Sequence, residues 1–423
     1  MPTLVVYNPV CGHGGAQQLF DDHVLPLLQQ NGVRVDKLLV TERAGHAGEF
    51  ITEYLEAVEG PFTIVLGSGD GTLHEIIETL TTTTPKGMRA SAPPAKLTFA
   101  LVPCGTANAL YASLFPPAPA PDADVDSVEY KLQSVRSAFV AHTRPAPLTL
   151  ALTTFSPPPG TRARTQPRTA VSAVVASTAL HASILHDSEA LRASVPGLER
   201  FKLAAAQNIA RWYTATLTLL PAPGSGSVQV FDPAARAFVP SPDGPIVDLA
   251  GPFAYFLSTV NVDRLEPRFR VTPHGRDPRA AGGPTLDVVV LRPAGDPTAE
   301  MDSEETRAAF AKKTMAVMGG AYDDGAHTLM RYAPDGSLST EGDGPCVVEY
   351  FRCGGWEWEP VSAAASSDRA GCRRLALPAQ DEIDERAHLV CTDGDIHEIE
   401  KGGKASCVAV APIDDKSGFA VFV

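Results

Sequence analysis

The sequence predicts an α/β amino-terminal domain built on a mostly parallel sheet, followed by an antiparallel, β-rich, sandwich-like domain. Three observations predict it. From Leu4 to Ala112, short apolar runs alternate with runs of helical period, and glycine-rich segments sit where strand gives way to helix. After Phe115 the composition turns rich in Pro, Ala and Thr, as far as Pro167. Further on, strand-like runs are separated by Pro/Gly-rich loops such as Pro221–Ser227 and Pro273–Pro284. Repeated β-loop-α units imply parallel strands with ligands at their carboxyl ends. Short strands between turn signals imply antiparallel pairing. A boundary is expected near residue 145, giving units 1–145 and 146–423.

In order, Leu4–Tyr7 is a buried-type strand ending in Asn-Pro and glycines. Ala16, Leu19, Phe20, Val24, Leu27 and Leu28 then recur at helical spacing. Val33–Thr41 is strand-like, and Phe50, Ile51, Tyr54, Leu55 and Val58 mark a second helix. Phe62–Leu66 enters Gly67-Ser68-Gly69-Asp70-Gly71-Thr72, after which Leu73, Ile76, Ile77 and Leu80 form a third helical face. Leu97–Val102 breaks at Pro103-Cys104-Gly105-Thr106 before another helix through Ala112. Val125–Val140 has helical spacing. Strands are expected at Ala170–Ala176, Thr214–Leu220, Phe253–Val262, Leu286–Leu291, Val347–Phe351 and His388–Thr392.

Bulk properties narrow the function. A net charge of −14 argues against broad adhesion to nucleic acid or anionic lipid. Membrane contact would then rest on a local patch. The start MPTLVVYNP has no basic segment ahead of an apolar run, which argues against secretion. No stretch approaches the roughly 18 apolar residues of a spanning helix. Seven scattered cysteines without a CxxC pair suit free thiols in a reducing compartment. A cytoplasmic protein with peripheral recruitment to membranes is expected.

The strongest local signal is Gly67-Ser68-Gly69-Asp70-Gly71-Thr72-Leu73-His74-Glu75 between strand and helix. Phosphates need close backbone approach and free N–H groups, which glycines and a helix start provide. An Asp beside phosphate is awkward unless it holds a metal or takes a proton from a nucleophile. Asp and Gly also favour plain turns, so the segment alone leaves both readings open. Asn8-Pro9-Val10-Cys11-Gly12-His13-Gly14-Gly15 and Pro103-Cys104-Gly105-Thr106-Ala107-Asn108 are weaker signals of the same kind. Three such loops at successive strand ends of one sheet would converge on one crevice.

Together with Thr41-Glu42-Arg43-Ala44-Gly45-His46-Ala47 and Ala16-Gln17-Gln18-Leu19-Phe20, these loops resemble the diacylglycerol kinase catalytic superfamily. Within it they are most similar to the sphingosine kinase and ceramide kinase branch. Two later islands also resemble it: Asp187-Ser188-Glu189-Ala190-Leu191-Arg192 with Gly197-Leu198-Glu199-Arg200-Phe201, and Asp393-Gly394-Asp395, which is similar to a DGE motif. Glu341-Gly342-Asp343-Gly344 is a rival for that motif.

The resemblance implies an NAD-kinase/diacylglycerol-kinase-like fold, with 1–145 the nucleotide-binding catalytic domain and 146–423 the lipid-binding domain. It implies ATP and Mg²⁺, and a lipid acceptor at a membrane surface, with no nucleic acid partner; oligomeric state is left open. Asp70 would be the general base on the lipid hydroxyl. Asn8, Gly12, Thr41, Gly67, Ser68, Gly69, Gly71, Thr72, Glu75, Gly105 and Thr106 would line the nucleotide site. Arg192 and Arg200 would neutralise the transferring phosphoryl group, a task suited to a fixed, permanently charged fork. Asp393 and Asp395 would assist at nucleotide or metal. No direct protein cage for a metal is expected beyond the Mg²⁺ that arrives with ATP, for which Asp393 is the candidate contact.

The departures bear on substrate. His13 and Gly15 stand where similar kinases carry lysines. Ser183 and Leu185 stand where sphingosine kinases place acids, leaving Asp187 as the nearest carboxylate, with Ser183, Asp187 and His181 the head-group candidates. A sphingoid ammonium favours a carboxylate partner, whereas ceramide or diacylglycerol does not need one. A sphingoid base is the leading acceptor, with ceramide and diacylglycerol as alternatives. An NAD-kinase-like activity and a catalytically silent lipid-binding protein are the competing readings.

Overall fold

The structure is a computed structural model that describes residues 2–58, 61–83, 86, 96–118, 124–158, 160, 167–195, 197, 199–275, 283–299, 301–361, 385–412 and 417–423. Parts of the expected loops at 115–167 and 273–284 therefore lie outside the described residues.

Four parallel strands build the first sheet: β1 (Thr3–Tyr7), β2 (Lys37–Val40), β3 (Phe62–Ser68) and β4 (Lys96–Pro103). Their order is β2-β1-β3-β4, extended beyond β4 by the carboxyl-terminal strand Gly418–Val421 and then by β5 (Ala146–Pro147). The terminal strand is parallel to β4, and β5 pairs with it antiparallel. Side chains alternate between two cores, as a strand's period of two requires. Leu4, Val6, Phe62, Ile64 and Leu66 face one cluster, and Val5, Tyr7, Val65, Ala100 and Val102 the other. Helix α1 (16–30, with a π-helical turn over Phe20–Val24) covers the second cluster with Ala16, Phe20, Val24 and Leu28. Helices α2 (His46–Ala57) and α3 (Asp70–Thr82) cover the first with Ala47, Ile51, Leu55, Leu73, Ile76 and Ile77. Helix α4 (Ala109–Leu114) follows β4.

Among the described residues, the second unit is a sandwich of two antiparallel sheets with eight and six strands. Strand Gly355–Pro360 of the six-stranded sheet points Trp356 and Trp358 at strand Tyr255–Thr259 of the other. Phe256 lies 5.1 Å from Trp356 and 5.5 Å from Trp358, centroid to centroid, and the Trp356 indole donates to Ser258 Oγ at 3.0 Å. Both tryptophans are fully buried, so each contributes at least the ~1.5–3 kcal/mol of a large apolar side chain while its N–H stays satisfied.

Three sequence expectations change. The chain does not leave the first sheet for good at residue 145, because Gly418–Val421 returns to complete it. The single strand expected over Ala170–Ala176 is two strands in different sheets, Arg168–Ser172 and Val175–Thr178. It breaks at Ala173-Val174, whose amides turn away from strand pairing to a carboxylate. A 19-residue helix, Glu304–Tyr322, was not expected. Its buried positions include Ala311, Thr314, Gly320 and Ala321, too small or polar to print an apolar stripe. Among the described residues, no helix is long and apolar enough to cross a membrane.

Candidate active site

The carboxyl ends of β1, β3 and β4 deliver three loops to one place, as the β-loop-α pattern predicts: loop 1 (Asn8–Gly15), loop 2 (Gly67–Thr72) and loop 3 (Pro103–Asn108). Loop 1 leaves β1 at Asn8, whose N–H donates to Gly67 O at 2.9 Å and whose Oδ1 accepts from Val10 N at 3.1 Å. Loop 3 is stapled by Asn108, which accepts from Gly105 N and donates to Gly105 O, both at 2.9 Å. Asn108 itself sits in the left-handed region at φ 53°, which Asn tolerates better than most residues.

The glycines differ in purpose. A Cβ at Gly12 would stand 2.3 Å from Cys104 O, so loop 1 rests on loop 3. One at Gly105 would stand 2.4 Å from Gly69 Cα, so loops 2 and 3 touch backbone to backbone. At Gly67 it would strike the Phe20 ring at 2.1 Å, which makes that glycine a packing requirement between strand and α1 rather than a nucleotide contact. At Gly71, in the exposed first turn of α3, it would meet nothing within 4 Å. Gly105→Ala is accordingly expected to cost about 2–3 kcal/mol by overpacking and to raise the KM for nucleotide at least tenfold. Gly71→Ala is expected to leave the thermal midpoint unchanged or higher, since alanine suits a helix better than glycine. Thermal melts and nucleotide titration of the two variants check the contrast.

Asp70 stands at the meeting point. It opens α3, and its carboxylate crosses to the start of α4, accepting from Ala109 N at 2.6 Å and Leu110 N at 3.1 Å. Unpaired N–H groups at a helix start are where negative charge is favoured. Burial raises its pKa, the two amides pull it back, and the nearby Asp393 charge raises it again, to about 6. Beneath it lies a small crevice lined by Ser68, Gly69, Asp70, Leu73, Asn108 and Tyr111. Ser68 Oγ donates to Thr72 Oγ1 at 2.5 Å, so the two hydroxyls of loop 2 form one polar ridge.

The diacylglycerol kinase catalytic domain family matches residues 2–140, the span holding all three loops and Asp70. That match covers about a third of the chain. It is 37% identical over 112 residues to sphingosine kinase 1 of Homo sapiens, covering 26% of this chain and 27% of that protein. It is 36% identical over 108 residues to sphingosine kinase 2 of Homo sapiens, covering 25% and 15% respectively. The match thus spans about a quarter or less of those relatives' length. Among solved structures, a diacylglycerol kinase from Bacillus anthracis str. Sterne is 12% identical, with a TM-score of 0.47 over 97% of this chain and 93% of that one. A putative diacylglycerol kinase from the same organism is 14% identical, with a TM-score of 0.48 over 96% and 92%.

Other candidate residues of the first unit are tied into its scaffold. Thr41 is buried, its N–H donating to Tyr7 O at 2.9 Å at the end of β2. Glu75 Oε1 accepts from Ala47 N and Gly48 N at 3.0 and 3.3 Å. It therefore caps α2, and this position differs from the expected nucleotide contact. Thr106 lies in loop 3, exposed.

The second unit departs further from expectation. Asp393, in the left-handed region at φ 52°, accepts from Ala173, Val174 and Val175 N at 2.6, 2.9 and 2.7 Å. A carboxylate so engaged, with its side chain 1% exposed, is an anchor for the strand crossing and does not fit a contact to Mg²⁺ or nucleotide. Asp395 is directed at His74 instead, 3.4 Å from its Nε2. The rival Glu341-Gly342-Asp343 is an exposed loop.

Asp187 also has its partners already. Asn208 donates at 2.7 Å and Arg386 at 2.6 Å, and His186 Nδ1 is 2.9 Å away. Burial opposes ionisation, but these hydrogen bonds outweigh it and take the carboxyl down to about 2. It is an internal ion pair, not a free head-group acceptor. His181 shares a 2.7 Å hydrogen bond with Ser177 Oγ, and burial pushes its pKa down to about 4. Ser183 is fully buried on helix Ala179–Leu191. Arg192 closes that helix and holds Glu189 at 2.6 Å. Arg200, over the Phe201 ring at 4.7 Å, is close enough to Arg192 for their charges to oppose each other.

Sequence reasoning missed three site residues. Asn108 was legible as an Asn at a helix start. Lys131, paired with Asp126 at 3.0 Å, stands near enough to loop 3 for its charge to oppose the upward shift that Cys11 and burial impose on the Cys104 thiol, whereas loop 1 has no lysine. His74, inside the quoted motif, is reached by groups more than 300 positions away, which no local pattern announces.

Proposed function

We propose that this chain is an ATP-dependent lipid kinase that transfers a γ-phosphoryl group to the hydroxyl of a sphingoid base. The observation that carries it is Asp70, held at the joint start of two helices where three glycine-lined loops touch. Support for the acceptor comes from the similarity of 108–112 residues to the two sphingosine kinases.

The close, glycine-lined backbone of the loops and the start of α3 suit a polyphosphate, the first amides of α4 being held by Asp70. Asp70 takes the proton of the lipid hydroxyl, the oxygen bonds to the γ-phosphorus, and ADP departs with the bridging oxygen's electrons. Mg²⁺ would travel with the nucleotide and neutralise phosphate charge. The saturated Asp393 does not fit it, so no step depends on that residue as a metal ligand.

A second acceptor reading has its own support. Asp187 is taken by Arg386 and Asn208, which removes the expected partner for an ammonium and favours a neutral head group such as ceramide or diacylglycerol. Incubation with labelled ATP, Mg²⁺ and mixed micelles of sphingoid base, ceramide or diacylglycerol separates these. Label only in a neutral lipid overturns the sphingoid assignment, and label in none supports the silent lipid-binding alternative.

The base also fixes the pH response. With its pKa raised to about 6, Asp70 is protonated and inactive as a base below that value. kcat/KM is expected to climb tenfold per pH unit below about 6 and to flatten above it. For stability the sign is opposite: a carboxyl whose folded pKa exceeds its unfolded value loses stability as pH rises from about 4 to about 6. Initial rates and melting temperatures across pH 4.5–8.5, roughly the span around that pKa, test both.

A further inference from the structure

His74 stands on α3, one turn after Asp70, and is 4% exposed. Among the described residues, neither of its ring nitrogens has a hydrogen-bond partner. A buried imidazole left that way is costly unless something else engages it. Around it stand three carboxylates: Nε2 lies 3.4 Å from Asp395 Oδ2 and 3.5 Å from Glu78 Oε2, and Nδ1 lies 3.4 Å from Asp393 Oδ2. Hydrogen bonds between such atoms run at about 2.7–3.2 Å, so these separations are too long for good ones. They suit another arrangement. Ligand atoms about 2.0–2.1 Å from a tetrahedral zinc ion are about 3.4 Å from one another.

We propose that His74 Nε2, Glu78 and Asp395 bind one divalent ion of the zinc class. The three ligand atoms lie within 4.8 Å of one another. His74 and Glu78 are one turn apart on a single helix face, and Asp395 arrives from strand Asp395–Glu398 of the sandwich. Asp393 completes the arrangement from behind. Fixed by three backbone amides, it faces Nδ1 from 3.4 Å, and its negative charge favours a proton on that nitrogen, leaving Nε2 for the ion. Water would fill the fourth position. An imidazole with carboxylates suits zinc better than magnesium, which prefers oxygen ligands alone, so this ion is distinct from the one carried by ATP. Its place joins the helix that begins with Asp70 to the second unit. If the imidazole is doubly protonated beforehand, binding releases the Nε2 proton to solvent.

The test uses the full chain, dialysed against chelator and titrated with ZnCl₂ by calorimetry, with Co²⁺ absorption as a second readout. One ion per chain is expected, with tetrahedral-type cobalt bands. Asp395→Asn, at a side chain 62% exposed and so tolerant of change, should weaken zinc at least tenfold, as should His74→Gln. Uptake of no zinc by the wild type overturns the proposal, and leaves His74 as an imidazolium among carboxylates. Unchanged affinity in both variants overturns it too. So does zinc binding that disappears in Cys11→Ser/Cys104→Ser, which would place the ion on the loop thiols.

Discussion

Asp70→Asn is expected to lower kcat roughly a thousandfold, within the range that a general base contributes. The change isolates the proton. Asn keeps one oxygen for the α4 amides and presents an NH₂ to the other, so one hydrogen bond is lost, at about 1 kcal/mol. That loss is partly offset, because a buried charge beside Asp393 is also removed. The melting temperature should move by only a few degrees, and nucleotide affinity should persist. Single-turnover transfer from labelled ATP, read beside nucleotide binding, checks it. Equal transfer by wild type and variant would end the assignment of Asp70 as base.

Asp393→Ala should act oppositely, on the fold before the chemistry. It strips the acceptor from three N–H groups at the point where the chain passes between sheets. It also removes a carboxylate facing buried His74. Breaking such a buried constellation costs about 3–5 kcal/mol. Set against a typical net stability of roughly 5–15 kcal/mol, this is a large fraction. A fall in melting temperature on the order of 10 °C is expected. Asp393→Asn, which retains one acceptor oxygen, should recover part of it. A melting temperature unchanged in Asp393→Ala would show that the three amides find other partners.

These two carboxylates show the limit of local reading. Each sits in an Asp-Gly pair, and nothing in either pair says whether the oxygens face a ligand or a neighbouring amide. Asp70 was legible because its loop lies between a strand and a helix with glycines on both sides. Asp393 was misread as a ligand contact because its partners, Ala173 to Val175, are small apolar residues with no sequence signature. Asp187 was misread likewise, since its countercharge, Arg386, lies 199 positions away.

The sequence by itself determined the parallel sheet, its three glycine-lined loops and the place of Asp70. Period and turn chemistry are properties of neighbouring residues, and they survive in a linear reading. Tertiary structure alone decided that the last strand returns to β4, that Ala170–Ala176 divides between two sheets, and that His74 lies among three carboxylates. Those outcomes depend on groups far apart in the chain. Their energies come from desolvation and charge at the meeting point, which no local segment carries alone.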